Sequence, residues 1–265
     1  MIHLSSTPAK IELCHVTHLY VTPTSAFMAV KGIDLRVEEG EFICLVGPSG
    51  CGKTTLLSLI AGLERPTAGK VLIDGKEVSG TTRQVGYMLQ HDYLFSWRNI
   101  EDNVLLGLEI QGIKNAENVE YALYLLEEMG LGEFRKAYPG QLSGGMRQRV
   151  ALVRTLACQP DVLLLDEPFS ALDYQTKLKL EDLIIATLRK HKKTAILVTH
   201  DLSEAVAMGD RLFVLERNPG RVRKEVIVPD PIRQALPLHA RNEVGFTQLF
   251  REVWKEMEGD TVENS

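Results

Sequence analysis

The chain has 265 residues, 45% of them hydrophobic and 25% charged, with a formal net charge of −5. That length leaves room for one large α/β domain or two small ones with a substantial core, and the acidic balance argues against a general nucleic-acid binder. A stretch without Asp, Glu, Lys or Arg, residues 13–30, holds two His, three Thr, a Ser and a Pro and is too polar to span a bilayer.

Residues 1–8 lack the basic and apolar regions of a secretory signal. Residues 10–20 alternate in part, through Ile11, Leu13 and Val16, as an early strand. Residues 42–46 form an apolar run that reads as a buried strand, and 55–61 read as the start of a helix. Between them Gly47-Pro48-Ser49-Gly50-Cys51-Gly52-Lys53-Thr54 fits G-x-x-x-x-G-K-[ST] in the strand–loop–helix setting that a phosphate-binding loop requires. Val71-Leu72-Ile73 enters a turn at Asp74-Gly75, and residues 84–89 read as a further strand. Residues 100–158 read as a mostly helical insertion, with Val119, Ala122, Leu123, Leu126 and Met129 at helical spacing. The short apolar runs 162–165 and 195–198, separated by a helical pattern over 171–190, imply parallel strands with crossover helices. Residues 258–265 read as a frayed acidic tail. The four cysteines (Cys14, Cys44, Cys51 and Cys158) show no C-x-x-C spacing and read as reduced thiols in a cytoplasmic protein.

In such sheets ligands bind beyond the carboxyl ends of the strands. Val46, Leu89, Leu165 and Val198 would each end a strand there, which brings Gly47, Gln90, Asp166-Glu167 and Thr199-His200 toward one site. In the glycine loop the backbone N–H groups and the helix dipole would hold phosphate, Lys53 would reach the β- and γ-phosphates, and the Thr54 hydroxyl would take a position on Mg²⁺. The same positive nest should favour thiolate at Cys51. Asp166 suits an Mg²⁺-holding carboxylate, and Glu167 could polarise the attacking water; the plainer reading is that both cap the following turn. Gln90 could offer its amide oxygen to Mg²⁺, and His200 could hydrogen-bond the γ-phosphate or the water, with Asp201 and Ser203 leaving a capping role open. Ser143-Gly144-Gly145 ahead of a helix is a second candidate anion nest. One complete loop and one extra nest per chain are reconciled by a dimer in which each nest closes the partner's nucleotide site. Tyr93, Leu94, Phe95 and Trp97 follow Gln90 closely, and all four cannot face one core.

Taken together and in this order, these residues resemble the nucleotide-binding subunits of ABC transporters over residues 10–257. The matching motifs are Walker A at 47–54, Gln90, the signature 142–149, Walker B at 162–166, Glu167, the loop 170–173 and His200. The resemblance implies an α/β fold: a P-loop NTPase (RecA-like) parallel-sheet core over 10–90 and 159–225, with an antiparallel β part, an inserted α-helical subdomain over about 91–158, and a C-terminal extension, 226–265. It implies ATP and Mg²⁺ as ligands. ATP would be held by the glycine loop with Thr55 and Gln90, by an aromatic stacked on adenine, and in trans by Ser143, Gly144, Gly145 and Asp173. Tyr20 matches the aromatic best, with Phe27 as the alternative. Catalysis would rest on Lys53, Glu167 and His200, and Mg²⁺ on Thr54, Gln90 and Asp166. The resemblance further implies a homodimer on the cytoplasmic side of the cell membrane, with two permease subunits and, indirectly, a solute-binding protein. The aromatic cluster after Gln90 would then be a groove for a permease helix. A finer resemblance, to importer subunits for nitrate, sulfonates and taurine, is carried by Gln90, Leu94, Trp97, Asp102-Asn103-Val104, residues 145–149 and Pro219-Gly220-Arg221. The alternatives are a non-transport ABC ATPase acting on ribosome or DNA, for which tandem cassettes, coiled coils and zinc motifs are all wanting, and a catalytically silent subunit, against which Glu167 and His200 stand.

Overall fold

A computed structural model of the chain describes residues 9–170 and 172–258. Ala171 of the loop 170–173, the N-terminal residues 1–8 and the acidic tail after Glu258 lie outside the described residues. In chain order the elements are β1 (Ile11–Val21), β2 (Ala26–Val37), β3 (Phe42–Val46), α1 (Lys53–Ile60), β4 (Ala68–Ile73), β5 (Lys76–Glu77), β6 (Val85–Met88), α2 (Ile100–Gln111), α3 (Ala116–Glu128) and α4 (Gly144–Ala157). They continue with β7 (Val162–Asp166), α5 (Tyr174–Lys190), β8 (Thr194–Val198), α6 (Leu202–Met208), β9 (Arg211–Glu216), β10 (Arg221–Ile227), α7 (Asp230–Gln234), α8 (Pro237–Ala240) and α9 (Phe246–Glu258). The chain folds as two compact units, one made of residues up to Thr82 and from Leu180 onward, the other of Arg83–Lys179.

The first unit carries two sets of strands. β3 is buried along its whole length because it has a parallel neighbour on each side, β8 and β9, and β10 runs antiparallel to β9. A strand covered on both faces needs continuous apolar residues, which is why Phe42-Ile43-Cys44-Leu45-Val46 shows no alternation. β2, β1, β4 and β5 form an antiparallel sheet in that order. There Ile33, Leu35 and Val37 are buried while Asp34 is exposed, the pattern of a sheet with one covered face. β1 alternates only in part because its register with β2 shifts between Leu13 and Val16, around His15 with φ of 51°.

In the second unit β6 and β7 pair in parallel, Met88 opposite Leu165, and α4 packs against α2 and α3. Val104, Leu108, Ala122, Leu126, Val150 and Leu152 make its helical core, each at 0% exposure. The helix starts are fixed locally. Asn99, Asn115 and Ser143 each accept a bond from a backbone N–H three residues on, and Gly112 ends α2 in the left-handed conformation. The helical stretch expected over 100–158 is thus three helices with capped breaks, and it shares its compact unit with β6 and β7.

Candidate nucleotide site

The parallel registers gather two clusters of candidate residues, one in each unit. In the first unit Leu45 lies opposite Val198, so the loop after β3 and Thr199-His200 after β8 emerge at the same end. The glycine loop is pinned at its ends. Gly47 has φ of 155°, and a Cβ there would lie 2.6 Å from the Leu215 carbonyl oxygen. Gly52 has φ of 91°, and a Cβ there would lie 2.4 Å from Val30. At Gly50, between them, a Cβ would meet nothing within 4 Å, so the middle of the loop is an open cradle. Lys53 is buried, and its Nζ donates to the carbonyls of Gly47, at 2.8 Å, and Pro48, at 3.1 Å. Where α2, α3, α4 and α6 are capped by side chains, α1 begins at Gly52 with none. Uncapped N–H groups at a helix start, with a positive dipole end and a lysine, suit an anion.

The thiolate expected at Cys51 is not what the loop supports. Its side chain is fully buried, and burial pushes the thiol above its ordinary value, outweighing the Lys53 ammonium that pulls it down. The nest's charge acts on backbone-facing ligands, whereas Sγ packs inward near the position a Gly47 Cβ would take.

Tyr20 and Phe27, the two candidates for the adenine-stacking aromatic, are direct partners across β1 and β2 and therefore share a face. Both are exposed. Tyr20 is tied toward α1: its hydroxyl lies 3.4 Å from Thr55 Oγ1 and donates to Glu64 at 3.2 Å, and its ring meets His18 edge-on. His200 is exposed between two fixed groups. Thr199 Oγ1, buried, donates to Glu204 and accepts from the Asp201 N–H, and Asp201 caps α6.

In the second unit the pairing of Met88 with Leu165 brings Gln90 beside Asp166-Glu167. Gln90 Nε2 donates to Glu167 Oε2 at 3.1 Å. Asp166 is buried and accepts from the Tyr87 hydroxyl at 3.3 Å. Glu167 turns into the left-handed region, φ 48°, with Ser170 Oγ donating back to its carbonyl. A non-glycine residue pays about 1 kcal/mol for that turn, and the reversal lets adjacent carboxylates take different directions. Ser143 caps α4 through the Met146 N–H, and the Asp173 carboxylate is hydrogen-bonded by the Thr176 side chain and, at 3.0 Å, by the Thr176 N–H, which together hold its pKa below the ordinary carboxylate value. A Cβ on Gly145 would come 2.9 Å from Leu172, so the signature nest and the loop 170–173 touch within this unit.

Several partners of these groups are not apparent in the sequence. Asp92 accepts from Arg147 of the signature helix at 3.0 Å, and Arg154 of the same helix donates to the carbonyls of Asp92 and Tyr93. Asn103, fully buried on α2, accepts from the Phe95 N–H and donates to the carbonyls of Phe95, Arg98 and Asn99. These bonds hold an aromatic loop whose Tyr93, Phe95 and Trp97 are exposed, Trp97 at 72%. In the first unit Gly220 backs the glycine loop: a Cβ there would lie 2.2 Å from the Cys51 carbonyl oxygen.

A glycine cradle on an uncapped helix start with a buried lysine beside it defines a P-loop nucleotide-binding protein. The family model described as "ABC transporter" matches residues 30–170. An uncharacterized ABC transporter ATP-binding protein of Bacillus subtilis is 53% identical over 93% of this chain and 95% of its own. The nitrate import ATP-binding protein of a Synechocystis species is 42% identical over 86% of this chain and 85% of its own. A dimeric ATP-binding cassette in a post-hydrolysis state, bound to ADP and phosphate, superposes with a TM-score of 0.73 at 32% identity, covering 83% of this chain and 99% of that one. The chain belongs to the ABC transporter family as an ATP-binding subunit. ATP and Mg²⁺ are its ligands, and the family supports ATP hydrolysis, a dimer and membrane partners. Among the described residues no helix is long and apolar enough to cross a membrane.

Proposed function

We propose that the chain is the ATP-hydrolysing subunit that drives import of a small solute, such as nitrate, a sulfonate or taurine, through two membrane permease subunits fed by a solute-binding protein. It acts on the cytoplasmic side of the cell membrane as a homodimer. The observation that carries the reading is an uncapped phosphate cradle with Lys53 on one unit, in a chain whose other unit holds a carboxylate pair with its own amide partner, Gln90. The 42% identity to a nitrate import ATP-binding protein supports the solute class.

In this reading Gly47 to Thr55 hold the phosphates and Tyr20 or Phe27 the adenine. Thr54, Gln90 and Asp166 hold Mg²⁺, which neutralises charge that builds on the phosphate oxygens. Glu167 takes a proton from the attacking water, His200 orients the γ-phosphate, and Ser143, Gly144, Gly145 and Asp173 of the other copy close the site. Only interactions that strengthen in the closed state can drive the permease, so hydrolysis reopens what ATP binding closes. Gln90 is well placed in sequence to report this, since the loop that follows it carries the exposed aromatics, and Arg147 and Arg154 tie that loop to the signature helix.

Glu167→Gln keeps the side chain's shape and removes the base. ATP binding should persist while hydrolysis slows at least ~10²-fold and an ATP-bound dimer accumulates, read by light scattering. Wild-type turnover in that variant would refute the site. Nitrate or taurine uptake into vesicles carrying the permease, with and without this subunit, tests the solute.

A further inference from the structure

The C-terminal segment after β10 packs against α6, and one of its side chains reaches the first turn of that helix. Arg241, at the end of α8, is 13% exposed and uses three nitrogens on three elements. Its NH2 group pairs at 2.7 Å with Glu181 of α5, a carboxylate at 0% exposure; NH1 donates to the Pro237 carbonyl at 2.8 Å; and Nε donates to Ser203 Oγ at 3.1 Å. Around it the segment is further fastened to α5. Arg189 donates to the carbonyls of Arg233, Gln234 and Ala235, and Leu238 N–H donates to Asp182. A planar guanidinium held at all three nitrogens has one orientation, and a buried partner charge keeps it there.

Ser203 is the contact that matters. It lies in the first turn of α6, three residues after His200, and its N–H is one of the two that Asp201 caps. α6 has seven residues and begins at Leu202, so Thr199 to Asp201 are the entire connection between β8 and that helix, and Ser203 lies in the first turn beyond it. Thr199 holds the strand side, through Glu204 and Asp201. Arg241 holds the helix side, using α5 as its anchor.

We propose that Arg241 is a positioning residue for His200 in ATP hydrolysis, so that the C-terminal segment contributes to turnover as well as to stability. The inference rests on the reading of His200 given above. Ser203→Ala removes the acceptor of Arg241 Nε but leaves the Glu181 ion pair and the backbone cap. Arg241→Lys keeps a charge for Glu181 but cannot span to Ser203.

The test uses the full chain, with ATPase kinetics, nucleotide binding and thermal unfolding measured for each variant. Both variants should lose about 5- to 10-fold in kcat with KM and nucleotide affinity unchanged, against at least ~10²-fold for His200→Ala. Ser203→Ala should add no further loss on the His200→Ala background, because the bond has then nothing left to position. Should Arg241→Lys fail to fold, Ser203→Ala carries the test alone. Wild-type kcat in Ser203→Ala, or losses that multiply with His200→Ala, would overturn the inference. Wild-type kcat in His200→Ala would instead overturn the reading of His200 beneath it.

Discussion

Asn103 offers a quantitative test of how the aromatic loop is held. Its side chain is at 0% exposure on α2 and makes four contacts with the loop: Phe95 N–H to Oδ1 at 2.8 Å, and Nδ2 to the carbonyls of Phe95, Arg98 and Asn99 at 3.1, 3.0 and 2.9 Å. An amide has two hydrogens for three carbonyls, so the set amounts to about three hydrogen bonds, one of them shared. At about 1 kcal/mol each, Asn103→Ala should cost about 3 kcal/mol. For a chain of this size that is a drop of about 6–12 °C in melting temperature. Asn103→Asp should be worse, since it turns a carboxylate toward three carbonyl oxygens in a buried site. The chain has only two tryptophans, so in a Trp254→Phe background the fluorescence of Trp97 reports the loop alone. The loop should loosen at lower urea than the rest of the protein, and co-purification with the permease should fall while ATP binding is kept. A change below about 0.5 kcal/mol, with normal assembly, would show that α2 does not hold the loop.

Three further outcomes follow from the glycine loop. Cys51, a buried thiol with a raised pKa, should alkylate more slowly than the partly exposed Cys14 at neutral pH, and its rate should climb as pH rises past the ordinary thiol value; a faster rate than Cys14, by mass mapping, would restore the thiolate reading. Gly220→Ala places a methyl 2.2 Å from the Cys51 carbonyl and 2.7 Å from that of Ala29, both backbone, so the loop must shift; at about 1–3 kcal/mol of overpacking, ATP affinity should fall at least ~5-fold by titration, and unchanged affinity would show that the contact relaxes elsewhere. Lys53→Ala and Gly145→Asp chains, each inactive, form on mixing one doubly damaged and one intact site if the signature nest serves the other copy; absence of an ATP-dependent dimer on the Glu167→Gln background would contradict that arrangement.

What the sequence made legible divides along a physical line. β3, β7 and β8 could be read because strands buried on both faces are continuous apolar runs, and the loop after β3 because its backbone demands glycine at Gly47 and Gly52 whatever surrounds it. β2 carries a readable signal too, in Ile33-Asp34-Leu35-Arg36-Val37, whereas β1 blurs its own alternation by a register shift. β6 ends at Met88 and β7 runs on through Asp166, one residue either side of expectation, because the last pairing is set by the neighbour strand and not by hydropathy. The groups that steady the site were not readable, and the reason is their separation. Asp92 and Arg147 are 55 residues apart, Ser203 and Arg241 are 38, and each is an ordinary surface-type residue in its local window. Cys51 shows the same limit from the other side: the motif fixed its backbone environment, but the burial of its side chain, and with it the ionisation, is set by the packing that only the fold supplies. Chemistry written into contiguous backbone could therefore be read residue by residue, while the parts that would couple it to a partner, the aromatic loop bolted by two arginines and the α6 start held from the C-terminal segment, exist only as long-range pairs. Substitutions that separate binding from coupling should accordingly be sought at Asn103, Arg147 and Ser203, whose partners lie far away in the sequence, rather than among the glycines, where any change strikes binding first.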